Sequence, residues 1–399
     1  MSAKRRRLRA RSREEITPLV ELCRKGQLFE VQEWIMSGKP VNLPEPVPYE
    51  RRALPSPLEV AVEKGFHSLV RVLLEAGALN ESRLSASPIH MAIHAKRMDL
   101  IELMVECGMD MSEVDMEVVF GTWDPKLMEY FIGKGADMET GNPLAVSLSD
   151  GIRTALRIYF KYKDRYPSFR EQLNIALRHH AGAGHRKWIA LTLWAGADPY
   201  APGLTEPDDD DEATAVAYAA LSGQPEAFDM LTRKRFEPDD PDLLDVFRFP
   251  RPKRCVETME RIAARGFRFT GLLPESSRVI QDNLEHLPYG GIESPYLVSN
   301  RPKAYMVAIR IMAEHGARWM PSAAQIKDVR KVLLRMPPAY VDYLAWVMTT
   351  NKACEPAVLA ELLRTPAIQA HIAKSGIRRE DLRKWVPKRK IDMDSGLEP

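Results

Sequence analysis

Between Ser56 and Asn80 the apolar positions fall into two short helical clusters. Leu58, Val60, Ala61 and Val62 form the first, and Leu69, Val70, Val72, Leu73 and Leu74 form the second, with Gly65 between them. Gly77 closes the stretch, where a helix end wants a residue that tolerates positive φ. Ser56-Pro57 opens it, with a hydroxyl at the N-cap and proline at the first helical position. The pattern predicts a helix–turn–helix hairpin that is too small to bury its own apolar face. It requires neighbours of the same kind.

The chain supplies them. Thr17-Pro18-Leu19 is followed by Gly26 and Gly38, and Ser87-Pro88-Ile89-His90-Met91-Ala92 by Leu100, Ile101, Leu103, Met104 and Gly108. Val114 to Gly135 keeps only the hydrophobic skeleton of Met116, Val119, Phe120, Leu127, Tyr130 and Phe131. Asn142-Pro143-Leu144 with Gly151 comes next, then a stretched unit from Leu173 to Gly196-Ala197-Asp198, with a short glycine turn expected at Ala181–His185. Thr214 to Ala220 with Gly223 is the seventh. Successive starts at Pro18, Pro57, Pro88, Asp115, Pro143, Gln172 and Ala215 lie 27 to 43 residues apart.

Those spacings scatter around the ankyrin period of about 33 residues, and the array resembles ankyrin repeats over residues 16–240. Ser87–Ala92, Leu73–Ala78 and Trp194–Asp198 are the nearest matches to the TPLHxA and LLLxxGAD parts of that consensus. The resemblance implies an all-α solenoid of stacked helix–turn–helix repeats. It also implies that a consensus histidine ties neighbouring turns together. Here only His90 keeps it, while Val20, Glu59, Ala145, Asn174 and Ala217 stand at the other positions, so irregular stacking is expected.

Beyond residue 240 the pattern weakens. Residues 252–266 and 300–317 still read as second helices, but Pro250 and Pro252 damage the first helix before them. Residues 288–300 read as a loop-like insertion, and four amphipathic helices follow at Ala323–Arg335, Ala339–Thr349, Pro356–Arg364 and Ala367–Lys374. The expected organisation is a basic arm at 1–15, a repeat array at 16–240, degenerate repeats or a capping domain at 241–376, and a flexible tail at 377–399.

At 399 residues with 45% hydrophobic content, the chain is too long for one ordinary core, as an array requires. The absence of a secretory h-region, and four cysteines (Cys23, Cys107, Cys255, Cys354) too widely spaced for a disulfide framework, lead to the expectation of a reducing, cytoplasmic setting, with the cysteines as buried hydrophobes. Seven of the first thirteen residues are Lys or Arg, with no acid, against a net charge of only +2, so the rest is mildly acidic. Arg5, Arg6, Arg7, Arg9 and Arg11 could contact phosphates, but no aromatic residue interleaves them for base stacking. The acidic run Glu206–Glu212 reads as a solvated loop or a finger for a basic partner.

Signatures of catalysis are missing: no nucleophile elbow, no phosphate loop and no metal-binding spacing around His179, His180, His185 and Cys255. No cofactor is expected. Trp34, Met104, Tyr130, Trp194 and Met312 fall at core spacing on second helices. In ankyrin proteins the first helices line a concave side, and the resemblance places partner contacts at Arg24, Lys25, Glu63, Lys64, His94, Arg178 and His179. The function expected is a non-enzymatic scaffold or adaptor that binds a protein. A nucleic-acid-associated subunit using the basic arm and a cryptic enzyme in the C-terminal half are the alternatives.

Overall fold

A short helix with apolar residues almost all round must be covered on several sides, and the residues from Pro57 to Val62 are all buried. The computed structural model describes residues 9–45, 54–81, 86–204, 212–248, 250, 255–287, 301–336 and 338–373. Arg5, Arg6, Arg7, residues 46–53 of the proline-rich insertion, the acidic run as far as Asp211, the 288–300 insertion and the 377–399 tail lie outside them. The chain divides into two units, Met1–Leu173 and Asn174–Pro399.

The first unit holds five hairpins: α1 (Arg13–Lys25) with α2 (Leu28–Met36), α3 (Pro57–Glu63) with α4 (His67–Glu75), α5 (Pro88–His94) with α6 (Met98–Glu106), α7 (Met116–Gly121) with α8 (Pro125–Gly133), and α9 (Pro143–Ser149) with α10 (Arg153–Tyr162). First helices pack on first helices, α1 on α3, α3 on α5, α5 on α7 and α7 on α9. Second helices form the outer row, α2 on α4, α4 on α6 and α8 on α10. This is the ankyrin-like stack. Leu58, Leu69, Leu73, Ile89 and Leu100 are fully or almost fully buried between hairpins, each contributing about 1.5–3 kcal/mol relative to exposure.

In the second unit the same alternation runs on. After α11 (Phe169–Ala183), whose first residues belong to the first unit, come α12 (Arg186–Ala195), α13 (Ala215–Leu221), α14 (Pro225–Leu231), α15 (Asp245–Arg248) and α16 (Cys255–Ala264). They are followed by α17 (Glu275–His286), α18 (Arg301–Glu314), α19 (Ala323–Leu333), α20 (Pro338–Thr350), α21 (Pro356–Leu363) and α22 (Pro366–Ala373). The even-numbered helices from α12 to α22 pack each on the next, and the odd-numbered ones from α13 to α21 do likewise. The described residues contain helices, three short 3-10 turns and isolated bridges, and no strand.

Hydrogen bonds across neighbouring turns hold the hairpins in register. His90 Nε2 accepts from the Asp115 backbone N–H at 3.0 Å, and its Nδ1 meets Ser87 Oγ at 3.1 Å. Asn174, at the next-but-two equivalent position, does the same with its amide oxygen, accepting from Asp198 N at 2.9 Å. Gln172 Oε1 accepts from Leu144 N and Ala145 N at 2.9 and 3.3 Å while its Nε2 donates to Met138 O at 2.9 Å. Asn42 accepts from Leu79 N and donates to Gly77 O. Loss of the consensus histidine therefore does not leave these turns untied, because amides replace the imidazole.

Two local expectations fail for identifiable reasons, and one helix lies where the sequence carried no reading. Thr17-Pro18 does not start α1. Ser12 caps it instead, accepting from Glu15 N at 3.4 Å, and Pro18 sits inside the helix while Thr17 Oγ1 donates to Arg13 O at 2.8 Å. The basic arm is therefore helical from Arg13 rather than free to residue 15. The glycine turn at 181–185 is narrower than expected, because Ala181–Ala183 complete α11 and only Gly184 turns, at φ +70. Helix α17 buries Val279, Ile280 and Leu284, and beside them the polar Ser276, Ser277, Gln281 and Asn283. Each polar side chain has a partner: Ser276 Oγ donates to Phe269 O, Ser277 Oγ accepts from Met320 N, Gln281 Oε1 accepts from Trp319 Nε1, and Asn283 Nδ2 donates to Phe247 O.

Two glycines show how closely neighbouring hinges meet. A Cβ on Gly26 (φ +72) would lie 3.1 Å from Phe66 Cζ, and one on Gly65 (φ +71) 2.5 Å from Arg97 Nη1. Each hinge thus receives a side chain from the next hairpin.

The tie at His90 makes a pH prediction. Burial lowers its pKa below 6.5, ahead of the opposing Asp115 carboxylate, so the folded state keeps the ring neutral as the hydrogen-bond acceptor it must be. The unfolded chain then takes up the proton first, and stability falls as pH drops below about 6.5. Thermal unfolding of His90→Gln should lose that part of the acid slope. Gln172→Ala should lower the unfolding free energy by about 1–3 kcal/mol in urea titrations, because it orphans buried backbone groups.

Candidate functional site

Because the first helices stand side by side, their last turns form an edge where each chain segment bends toward its second helix. Arg24 and Lys25 end α1, Glu63 and Lys64 end α3, and His94 ends α5; all five are exposed. The structure brings them together on adjacent helices, since α3 packs on both α1 and α5. Arg24 pairs with Glu21, and Lys64 Nζ lies 3.3 Å from Glu63 Oε1. The cations at the end of α1 also sit where the helix dipole favours positive charge.

Arg178 does not join that surface. It is 1% exposed, and its guanidinium reaches into the 198–204 finger, with Nε donating to Leu204 O at 3.0 Å and Nη1 to Ala201 O at 3.2 Å. A Cβ on Gly203 would stand 2.6 Å from Nη2, so glycine is what lets the finger close over the arginine. An inward cation of this kind shapes a loop rather than meeting a partner. His179 beside it is half-buried and edge-on to His180. His180 is buried, stacked on Trp188 at 5.3 Å, with its Nδ1 3.2 Å from His185 Nδ1. No group of three His, Cys, Asp or Glu among the described residues could hold a metal ion.

Arg9 is likewise committed to the fold. It pairs with Glu81, its Nη1 at 2.9 Å from Oε2, donates to Leu43 O at 3.2 Å and lies 3.3 Å from Glu45 Oε1. The Glu81 hydrogen bond raises its pKa further. Neighbouring Ala10 N donates to Asn42 O at 3.0 Å. With its forks filled by carboxylates and a carbonyl, Arg9 is not a phosphate contact; Arg11 is exposed.

Two packing expectations also change. Trp194 is 72% exposed on α12 rather than in the core, and Cys107 is exposed while Cys23, Cys255 and Cys354 are buried. Burial pushes the Cys23 thiol up to about 12 and that of Cys354 to about 11, which keeps both protonated.

The C-terminal unit holds a cavity of about 640 Å³ lined by Arg318, Trp319, Met320, Lys352, Cys354 and Leu363 among others. Its walls are largely apolar, and its one thiol is the protonated Cys354. The Asp240 carboxyl is pushed up to about 6 by burial, yet its Oδ1 accepts from Asp242 N at 3.1 Å as the cap of a 3-10 turn. That is a structural role.

The charge pattern could be read from the sequence at the exposed edge, but Arg178 and Arg9 could not. Both look like surface cations until the finger carbonyls and Glu81 are seen around them. Trp123 was missed altogether. It is 61% exposed with φ +61, at the hinge where other hairpins carry Gly26, Gly65, Gly151 and Gly223. Its signal in the sequence was the absence of glycine at that place.

No family model matches this chain, and no curated protein does. Among solved structures, the ankyrin repeat domain of Bcl-3, described as a unique member of the IkappaB protein family, is similar with 18% identity and a TM-score of 0.36. The match covers 46% of this chain and 87% of that one. The hairpins themselves carry the fold assignment. No helix among the described residues is long and apolar enough to cross a membrane.

Burial separates the candidate residues by stability. Arg178→Ala should cost about 3 kcal/mol in chemical denaturation, from two lost hydrogen bonds to a charged donor. Lys64→Ala should stay within about 0.5 kcal/mol.

Proposed function

We propose that this protein is a non-enzymatic interaction scaffold whose first-helix edge binds a protein partner. The observation that carries the reading is the row of exposed residues Arg24, Lys25, Glu63, Lys64 and His94 on three adjacent helices. Both signs of charge occur there, which suits the varied side chains of a protein better than a uniform polyanion. Stacked hairpins fit the role physically: each contacts only its neighbours, so surface residues can vary without disturbing the shared core.

The test is partner capture by the immobilised chain. A triple variant, Arg24→Ala, Lys64→Glu and His94→Ala, should retain the wild-type melting temperature. In quantitative mass spectrometry of proteins captured from the native host, it should show specific loss of those held by the wild type. Equal capture by the two would remove this edge as the binding face.

A further inference from the structure

We propose that the cavity of the second unit is a docking groove for this chain's own residues 376–386, which add one more first helix to the array and close its end. The groove lies in the other unit from the charged edge, so the two readings stand independently.

The terminal unit of a hairpin stack needs a polar outer face, and the last first helix lacks one. Helix α21 carries a single charged residue, Glu361, and buries only Leu362. Val358, Leu359, Ala360 and Leu363 are half-buried. Helix α19, one place earlier, packs between α17 and α21 and buries Ile326, Val329 and Leu333. On α21 the side chains of Leu359, Ala360 and Leu363 instead line the cavity.

The rest of the cavity is made by fingers. Arg318, Trp319 and Met320 come from the finger after α18, and Lys352, Cys354 and Glu355 from the finger after α20. The two are joined, with Trp319 N donating to Ala353 O at 2.6 Å. Since α18 packs on α20 and α20 on α22, the chain leaving α22 at Ala373 enters the third place in this row. Its sequence repeats the pattern of the first two. Gly316 (φ +89) and Lys352 (φ +52) form the turns after α18 and α20, and each precedes a buried alanine, Ala317 and Ala353. Gly376-Ile377 follows α22 at nearly the same distance. Leu382, Trp385 and Val386 then repeat the three- and four-residue spacing of Leu359, Leu362 and Leu363 on α21, and Pro387 stops the run.

The rim carries both signs of charge. Arg318, Lys352 and Glu355 are exposed there, and none of them has an ion pair among the described residues. A ligand of one sign would leave part of the rim opposed. Residues 376–386 carry both signs, with Glu380 and Asp381 for the two cations and Arg383 and Lys384 for Glu355. Proximity selects this occupant over a foreign one. Lys374 and Ser375 alone separate α22 from Gly376, so a short tether sets a high effective concentration at the groove.

Hydrogen exchange read by mass spectrometry on the full chain tests the contact from both sides. Backbone amides of residues 377–386 should exchange about tenfold or more slowly than in a synthetic peptide of residues 374–390. Trp385→Asp should remove that protection and also speed exchange in residues 356–363, while residues 215–231 stay as in the wild type. Leu359→Glu, on the groove wall, should release residues 377–386 in the same way. The synthetic peptide, labelled with fluorescein, should bind the Trp385→Asp chain, and should bind the Leu359→Glu/Trp385→Asp chain about tenfold or more weakly. Unprotected residues 377–386 in the wild type overturn the proposal, and so does protection that survives Leu359→Glu. Protection that rises with protein concentration, together with a dimer in sedimentation velocity, overturns it in favour of a second copy. If Leu359→Glu also exposes residues 215–231, it has disturbed the stack, and Trp385→Asp then decides. Unchanged exchange of residues 356–363 in that variant overturns the contact.

Discussion

Everything in this fold depends on what happens where one turn faces the next. A hairpin of two short helices leaves backbone N–H groups in its connecting turns directed at the neighbouring hairpin, and a buried donor without an acceptor is costly. His90, Asn174, Gln172 and Asn42 each reach across to such groups. The apolar helices supply the drive to stack, but that drive is non-directional. The side-chain acceptors are what select one register among the many that would bury similar area. An imidazole and an amide oxygen serve equally because the requirement is one lone pair at one distance, not a particular ring.

Much of this architecture was legible in the residues because it rests on local rules. Ser56-Pro57 marks a helix start and becomes a capping box with Glu59 at 3.0 and 3.1 Å, and the alternation of glycine with apolar clusters locates most hairpins. The illegible parts have a common origin. Helix α17 is harder to read because half of its inner face, beside Val279, Ile280 and Leu284, is Ser, Gln and Asn bound to backbone and to Trp319 of the following turn. Polarity reads as exposure until the partner is known. Thr17-Pro18 has the form of a helix start, yet Ser12 lies upstream with Glu15 to complete the turn. At the candidate site, Arg24 and Lys64 look alike in sequence to Arg9 and Arg178, and only three-dimensional neighbours separate the exposed pair from the half-buried Arg9 and the buried Arg178.

The arginines show how a repeat array uses charge. Arg9 gathers Glu81, Glu45 and a carbonyl, and Arg178 gathers two carbonyls of one finger. In both cases the rigid fork of donors organises irregular backbone that no ladder or helix could satisfy. Such arginines stabilise the irregular segments, while the lysines remain at the periphery, consistent with the stronger hydration of an ammonium group. The division of labour leaves the exposed edge free of structural duties.

The glycine hinges carry a consequence for modularity. Phe66 occupies the space above Gly26, and Arg97 that above Gly65. Each joint is therefore a matched pair, a vacancy on one hairpin and a protrusion on its successor. These hairpins are not interchangeable bricks. Transposing, deleting or duplicating one would set a protrusion against a protrusion or a vacancy against a vacancy, and the array would have to re-match both flanking joints before it could close. The order of the units is written into their contacts as firmly as their number.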